Sequence, residues 1–342
     1  MIATKSKPGP RRTSCLTCRK RRKRCDLSRP ACERCLKGGH ECLGYEHSES
    51  HKGTQEEDLN IPVLQSHPAP TTVLVSAIDS EKVLPVFLLL VAAHSNLHVE
   101  QPSGNLVISF PHTFGAPQYE LKWFVMYDAI TSLLLGVQPM VEYGYNSECD
   151  SASHGLEWIH GIPFVLFETI SQVNSWRAGS RAAPLDNWRN LETRVLAWQS
   201  PLTVTEPQES GANIAARLAI QEGWRHVTLI YIYMGMCGVS SHDQRVQTSI
   251  MHIMQLGEAV NDLPIGVHVF VHCVVVGLAA RYERHRCIVH EKLLSFKGTR
   301  VWLFHGVEFG RILEHLWYGV GAGGGPVTWD DYVRSRCAVV PM

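Results

Sequence analysis

The chain has 342 residues, 45% of them apolar and 19% charged, a composition typical of a globular protein with one sizeable core. Its formal net charge of +0 hides a strong segregation, because residues 1–45 carry 13 Lys and Arg against 3 Asp and Glu. The remaining residues carry 19 basic against 29 acidic side chains. The basic N-terminal segment 1–45 and the acidic remainder together predict that the N-terminal end of the chain contacts nucleic acid.

The N-terminal segment 1–10 is polar and has no apolar stretch resembling a signal peptide. The longest strongly apolar run, over 84–93, is too short to span a bilayer, so we expect no membrane partner. Six of the 11 cysteines fall within the first 42 residues, and the others are scattered singly. In the reducing compartment that these features favour, clustered cysteines indicate metal binding more than disulfides.

The predicted fold class is mainly α, with four parts in chain order. These are a basic disordered tail over 1–14, a cysteine module over 15–45, a flexible acidic linker over 46–75 and an all-helical body over 76–342. The linker contains three prolines and no sustained heptad pattern, so it predicts no coiled coil. Apolar residues at helical spacing predict helices over 81–98, 118–136, 156–175, 185–199, 212–237, 243–260, 264–286 and 301–319, and a strand pair near 106–110.

The cysteine module contains an internal repeat. The pattern C-x2-C-x6-C occurs twice, displaced by 17 residues, at Cys15, Cys18, Cys25, Cys32, Cys35 and Cys42. A repeat of this kind predicts two similar loops facing each other about a pseudo-twofold axis. Each C-x2-C pair is typical of a tight turn that directs two sulfurs at one metal.

A structural zinc ion takes four ligands, so two zinc ions need eight. Six cysteines supply eight positions only if two thiolates bridge both metals, and one zinc ion alone would leave two thiols over. A disulfide-stapled domain, an iron–sulfur cluster and two independent zinc fingers with His40 as an extra ligand remain weaker alternatives. Because the module has few apolar residues, metal binding must supply most of its folding free energy.

Six consecutive cations, residues 19–24, lie between the second and third cysteines. Wound as a helical turn, they would repel one another at i,i+3 and i,i+4 spacing, a cost that DNA phosphates would offset. Six residues cannot all reach the bases. Some must contact phosphates, while one or two bind guanine through the bidentate arginine fork. A nuclear-localisation signal is compatible with the same run.

Residues 15–42 resemble the DNA-binding domain of the fungal zinc binuclear-cluster transcription factors. The match includes the six cysteines, the basic run, the pair Cys25–Asp26 and the loop proline Pro30. The resemblance implies two Zn²⁺ per chain, with Cys15 and Cys32 as the bridging ligands.

The family's DNA-facing residues are third and fourth after the second cysteine, which implies that Arg21 and Arg22 contact a CGG-type triplet in the major groove. The family more often has Lys at the second of these positions. We assign Arg21 and Arg22 to bases, and Arg19, Lys23 and Arg24 to the DNA backbone.

Three segments of the body, 127–139, 222–247 and 301–336, resemble the fungal-specific transcription-factor domain. The resemblance implies a helical regulatory region in a nuclear regulator of RNA polymerase II transcription. Its expected partners are double-stranded DNA, transcriptional co-regulators and a second copy of the chain.

Two other classes of function stay open at this point: a DNA-targeted enzyme and a zinc adaptor that does not bind DNA. The pairs His268/His272 and His94/His98 have the i,i+4 spacing of helical metal ligands, but their surroundings favour packed histidines. Asp330 and its neighbour at 331 indicate a helix start rather than a paired-carboxylate site. No Ser/His/Asp or Cys/His set is evident, so we predict that the chain is not an enzyme. The basic run argues against an adaptor.

Overall fold

A computed structural model describes residues 14–28, 32–40, 42, 80–101, 104–145, 160–181, 184–200, 211–260, 268–296 and 304–340. The predicted linker over 46–75 and all of the predicted tail except Ser14 lie outside these ranges. The buried apolar residues form two separate clusters, one of cysteines and one that makes up the core of the helical body.

The cysteine module contains two five-residue helices, α1 (Leu16–Lys20) and α2 (Glu33–Lys37). Their start positions differ by 17 residues, as the sequence repeat predicts. A cysteine caps each helix. The Cys18 N–H donates to Cys15 Sγ at 3.3 Å, and the Cys35 N–H donates to Cys32 Sγ at 3.4 Å.

The body is mainly helical, which confirms the predicted fold class. Its helices are α3 (Ser80–Ala92), α4 (Phe110–Gly115), α5 (Tyr119–Leu135), α6 (Phe164–Arg177), α7 (Trp188–Ala197), α8 (Gly211–Tyr231), α9 (Gln244–Val260), α10 (Phe270–Ala279), α11 (Glu283–Ser295), α12 (Gly306–Tyr318) and α13 (Trp329–Val339). The helix α8 continues as one π-helical turn over Ile232–Met236. Among the described residues, no helix is both long and apolar enough to cross a bilayer.

A small sheet joins the first part of the body. Its strands β1 (His98–Glu100), β2 (Leu106–Ser109) and β3 (Tyr143–Gly144) lie in that order, β1 and β2 antiparallel and β2 and β3 parallel. The strand predicted near 106–110 is therefore confirmed. The predicted helix over 81–98 is too long, because α3 ends at Ala92 and the chain is extended at His98.

The single helix predicted over 264–286 is wrong in its described part, because α10 ends at Ala279 and α11 begins at Glu283. The buried Arg286 contacts the backbone beside this break between the two helices. It is 5% exposed, and its guanidinium donates to the Ala280 carbonyl at 3.0 Å and the Gly321 carbonyl at 2.9 Å. A longer contact of 3.4 Å reaches the Trp317 carbonyl. A side chain thus satisfies acceptors at the ends of two helices.

The helix α6 is polar but buried on almost every side. Its buried side chains include Glu168, Gln172 and Asn174. Asn174 donates to the Ala129 carbonyl of α5 at 2.9 Å and accepts from the Tyr231 hydroxyl of α8 at 2.7 Å. Buried polar groups of this kind are tolerated because they are hydrogen-bonded.

A buried carboxylate links α5 to β3. Asp128 is 1% exposed and accepts from the Met140 N–H at 2.8 Å and the Tyr143 hydroxyl at 2.9 Å. Burial raises the pKa of Asp128 to about 6, although these two hydrogen bonds act in the opposite direction.

Candidate metal centre and nucleic-acid interface

Four of the predicted zinc ligands bring their sulfur atoms together. The Sγ–Sγ distances are 3.5 Å for Cys15–Cys32, 3.6 Å for Cys18–Cys32, 3.7 Å for Cys18–Cys35 and 3.9 Å for Cys15–Cys35. All four side chains are fully buried. Disulfide sulfurs would be about 2.05 Å apart. A tetrahedral zinc site with zinc–sulfur bonds of about 2.3 Å has sulfurs about 3.8 Å apart, so the donor set fits zinc.

The other two predicted ligands lie in the same cluster. Cys42 is 7% exposed, and the half-buried Cys25 accepts from the Cys15 N–H at 3.5 Å. Potential ligand atoms of Cys25, Asp26 and Cys32 lie within 4.8 Å of one another. Each sulfur of the first C-x2-C pair lies within 3.9 Å of both sulfurs of the second pair. These distances therefore do not show which two sulfurs bridge the metals. The bridging role of Cys15 and Cys32 stays a prediction.

Burial opposes ionisation of the thiols. It raises the pKa of Cys15, Cys32 and Cys35 above the ordinary thiol value. A buried group of neutral thiols gives little folding free energy, whereas thiolates are the form that binds metal. A divalent cation at this position would therefore supply both the charge balance and most of the stability of the module.

Asp26 joins the two halves of the repeat. Its carboxylate accepts from the backbone N–H groups of Glu33 at 2.9 Å and Arg34 at 3.2 Å, the first two residues of α2. The Ser28 hydroxyl donates to the same carboxylate. These hydrogen bonds, with that of Ser28 first, hold the pKa of Asp26 well below its ordinary value. The sequence pattern does not predict this role, because the carboxylate and the helix it caps are seven residues apart.

The basic run is not a helical turn, contrary to the prediction for residues 19–24. Only Arg19 and Lys20 belong to α1, and residues 23–28 have no regular structure. Arg21, Arg22, Lys23 and Arg24 are exposed, and Arg19 is half-buried. Spreading the cations over a turn and an irregular segment reduces the repulsion that a helix would impose.

The turn after α1 ends the helix with a Schellman motif. The Lys23 N–H donates to the Cys18 carbonyl at 2.9 Å, and the Arg22 N–H donates to the Arg19 carbonyl at 3.0 Å. This motif requires a left-handed residue, and Arg22 takes that conformation with a φ of 52°.

The second half of the repeat ends α2 in the same way, with a glycine at the corresponding position. The His40 N–H donates to the Cys35 carbonyl at 2.9 Å, and the Gly39 N–H donates to the Leu36 carbonyl at 3.2 Å. Gly39 has a φ of 63°. The first half therefore places an arginine where the backbone favours glycine.

One histidine of each pair, His272 and His94, is hydrogen-bonded to a backbone carbonyl. The His272 ring donates from Nε2 to the Ile220 carbonyl at 3.2 Å, and burial lowers its pKa to about 4. His94 Nδ1 donates to the Leu90 carbonyl at 2.8 Å. Asp331 forms a capping box with Thr328 at the start of α13, which confirms the predicted helix start.

Comparison with known proteins agrees with this geometry. The family model of the fungal specific transcription factor domain matches residues 89–340, about three quarters of the chain. That of the fungal Zn(2)-Cys(6) binuclear cluster domain matches residues 13–52. The chain belongs to the fungal transcription factor family that these two domains define. The resemblance seen in the sequence is confirmed, and so is the expected cofactor of two zinc ions held by six cysteines.

Three curated relatives share parts of the chain. An uncharacterised transcriptional regulatory protein of Schizosaccharomyces pombe is 48% identical over 61 residues, 17% of this chain and 11% of its own length. Arginine metabolism regulation protein II of Saccharomyces cerevisiae is 38% identical over 82 residues, 22% of this chain and 9% of its own length. Transcriptional regulatory protein moc3 of S. pombe is 38% identical over 76 residues, 22% of this chain and 15% of its own length. The chain thus matches less than a sixth of each relative. No solved structure matches it.

Proposed function

We propose that this protein is a sequence-specific DNA-binding regulator of transcription by RNA polymerase II that acts in the nucleus. The observation that carries the proposal is the row of exposed cations, residues 21–24, directly beside a buried cluster of zinc-ligand cysteines. A rigid metal-bound module holds these side chains in one place, and DNA phosphates supply the opposite charge. The similarity to three transcriptional regulatory proteins supports the same function.

Within the module, we assign the two zinc ions to the six cysteines of the repeat, with Cys15 and Cys32 as bridging ligands. Arg21 and Arg22 contact a CGG-type triplet through the bidentate guanidinium fork. Arg19, Lys23 and Arg24 bind phosphates and set the register. Arg24 and Lys23 suit that role because they continue away from the turn in an exposed segment.

The body, proposed to occupy 76–342, is regulatory rather than catalytic. Co-regulators and a second copy of the chain are its proposed partners. The packing of His272 and His94 against backbone carbonyls supports this assignment, because both rings are held in structural hydrogen bonds.

The replacement Arg21→Ala tests the proposal in the full-length, zinc-loaded protein. Arg21 has ordinary backbone angles, φ −83° and ψ −1°, so alanine removes the guanidinium without straining the chain. We expect binding to a CGG-containing duplex to weaken by roughly 1–3 kcal/mol, with little change on a duplex that lacks the triplet. Fluorescence anisotropy with both duplexes measures this difference.

Lys37→Ala is the matched control. Lys37 is an exposed cation of the same module, in the second half of the repeat, and it pairs with Glu33 at 2.6 Å. Its loss should not change discrimination between the two duplexes. Equal losses on both duplexes in the Arg21 variant would assign Arg21 to phosphate and contradict its role in sequence recognition.

A further inference from the structure

The helical body contains a cavity, open to solvent on one side, that no part of the DNA-binding function uses. It lies among α8, α9, α10 and α11 and has a volume of about 630 Å³. Its walls are mainly aliphatic, from Ile220 of α8, Ile253 and Met254 of α9, Val276 of α10 and Ile288 of α11. This volume lies within the range of about 300–1,000 Å³ that small-molecule sites occupy, and such sites often lie between helices of a bundle.

The inner wall of the cavity is uncharged. His272, on α10, is 2% exposed and already donates to the Ile220 carbonyl at 3.2 Å. Burial lowers its pKa to about 4, so the ring is neutral at neutral pH. Beside it, burial raises the pKa of the Cys273 thiol to about 12. The charged side chains that line the cavity are Glu258, Glu291 and Lys292, near the ends of α9 and α11. A ligand that fills the inner part must therefore be uncharged and mainly apolar.

A glycine keeps part of this space open. Gly257 lies in α9 and lines the cavity, and a Cβ atom added there would have no heavy-atom neighbour within 4 Å. Gly223, on the opposite wall, is different, because a Cβ atom there would come within 2.7 Å of the His272 ring. Gly223 is explained by close packing, whereas Gly257 leaves a volume that a side chain could occupy. Glycine inside a helix costs about 0.5–1 kcal/mol relative to alanine.

Protein interiors are packed nearly as densely as organic crystals, with few voids larger than a water molecule. The cavity, of about 630 Å³, is far larger than such a void and is open to solvent where Glu258 and Glu291 lie exposed, so a ligand can reach its apolar walls. Ile288, which lines it from α11, is 42% exposed, so apolar surface continues to the outside of the body. We propose that this cavity is a binding site for an uncharged, predominantly apolar small molecule, whose polar end faces Glu258 and Lys292.

The test uses the full-length, zinc-loaded protein and Nile red, an uncharged apolar dye whose fluorescence rises in apolar surroundings. We expect saturable binding of one dye per chain. Gly257→Leu fills the cavity and should weaken dye binding at least tenfold. Its thermal midpoint should stay the same or rise, because leucine favours the helix and its Cβ atom has no heavy-atom neighbour within 4 Å. Gln255→Leu adds the same side chain at an exposed position of the same helix and should leave binding unchanged.

Alkylation by N-ethylmaleimide provides a second measurement. Cys273 lines the cavity, whereas Cys337 is exposed on α13. Bound dye should slow modification of Cys273, followed by mass spectrometry, without changing that of Cys337.

Absence of saturable binding by the unmodified protein would overturn the proposal. Equal binding by the Gly257→Leu variant would also overturn it, because the dye would then lie elsewhere, for example on the exposed apolar face of α3 that includes Val86 and Leu89. Neither result bears on DNA binding, which is measured separately with the CGG duplex.

Discussion

The left-handed backbone at Arg22 predicts a conflict between stability and DNA binding in the cysteine module. A residue with a Cβ atom in this conformation costs about 1–2 kcal/mol, and glycine avoids most of that cost. Glycine loses more entropy on folding, about 0.5–1 kcal/mol, so Arg22→Gly should stabilise the folded module by a net amount between about 0 and 1.5 kcal/mol, centred near 1 kcal/mol. Strain retained at one residue is a reason to examine its function.

Because folding of the module is coupled to metal binding, the gain should appear as tighter retention of zinc. A difference of about 1 kcal/mol corresponds to about a fivefold change in an equilibrium constant. Competition between the full-length protein and a chromophoric chelator measures this change. The same variant should lose roughly 1–3 kcal/mol of affinity for the CGG duplex, since it lacks the guanidinium fork.

Two further variants separate the backbone from the side chain. Arg22→Ala also lacks the guanidinium but keeps a Cβ atom at φ 52°, so it should lose the same DNA affinity without the gain in zinc retention. Gly39→Arg imposes the strained residue on the second half of the repeat, where an added Cβ atom meets nothing within 4 Å. It should release zinc more readily and keep its preference for CGG over other duplexes. If the glycine and alanine variants at position 22 retain zinc equally, or if Gly39→Arg costs no stability, the strain argument is refuted.

Two predictions concern the stability of the body. All nine tryptophans lie beyond residue 120, so tryptophan fluorescence reports unfolding of the body separately from that of the cysteine module. The pKa of Asp128 is raised to about 6, above an unfolded value of about 3.9. The favourable contribution of Asp128 to the free energy of unfolding is therefore complete below about pH 4. As the pH rises through about 6, up to about 3 kcal/mol of that free energy is lost. Urea unfolding from about pH 4 to about pH 7 measures this term as the difference between the unmodified protein and Asp128→Asn, because buried histidines such as His272 titrate in both proteins and cancel. The free energy of unfolding of the unmodified protein relative to Asp128→Asn should fall across this range; a constant difference would contradict the prediction. Arg286→Met leaves buried carbonyls without a donor and should cost about 3 kcal/mol or more, whereas Arg284→Met, at an exposed position of α11, should cost little.

Much of the chain's organisation follows from local patterns. The spacing of the cysteines predicts the 17-residue repeat, and the helices α1 and α2 follow it. Apolar periodicity locates most helices of the body within a few residues, because a helix that is buried on one face repeats that face about every 3.6 residues. The separation of charge identifies the end of the chain that is suited to nucleic acid.

The same patterns are misleading where a side-chain hydrogen bond or a left-handed residue accompanies the end of a helix. Residues 264–286 are apolar enough to predict one helix. In the structure the Arg286 guanidinium donates a hydrogen bond to the Ala280 carbonyl, and a new helix begins at Glu283. The basic run predicts a helical turn. It is instead a turn that Arg22 closes in a left-handed conformation, and no sequence pattern marks an arginine for that role.

The metal, the number of ligands and the helical class of the body follow from the sequence alone, because cysteine spacing and apolar periodicity are properties of neighbouring residues. The packing of the elements against one another sets how Asp26 caps α2, how Arg286 joins the ends of two helices and where Gly257 leaves a cavity. These features depend on contacts between separate elements, which range from seven residues apart for Asp26 and Glu33 to 198 apart where the Tyr332 hydroxyl donates to the Leu134 carbonyl at 2.5 Å. Such contacts form only when the elements that carry them are packed together, so periodicity and spacing within one element do not predict them.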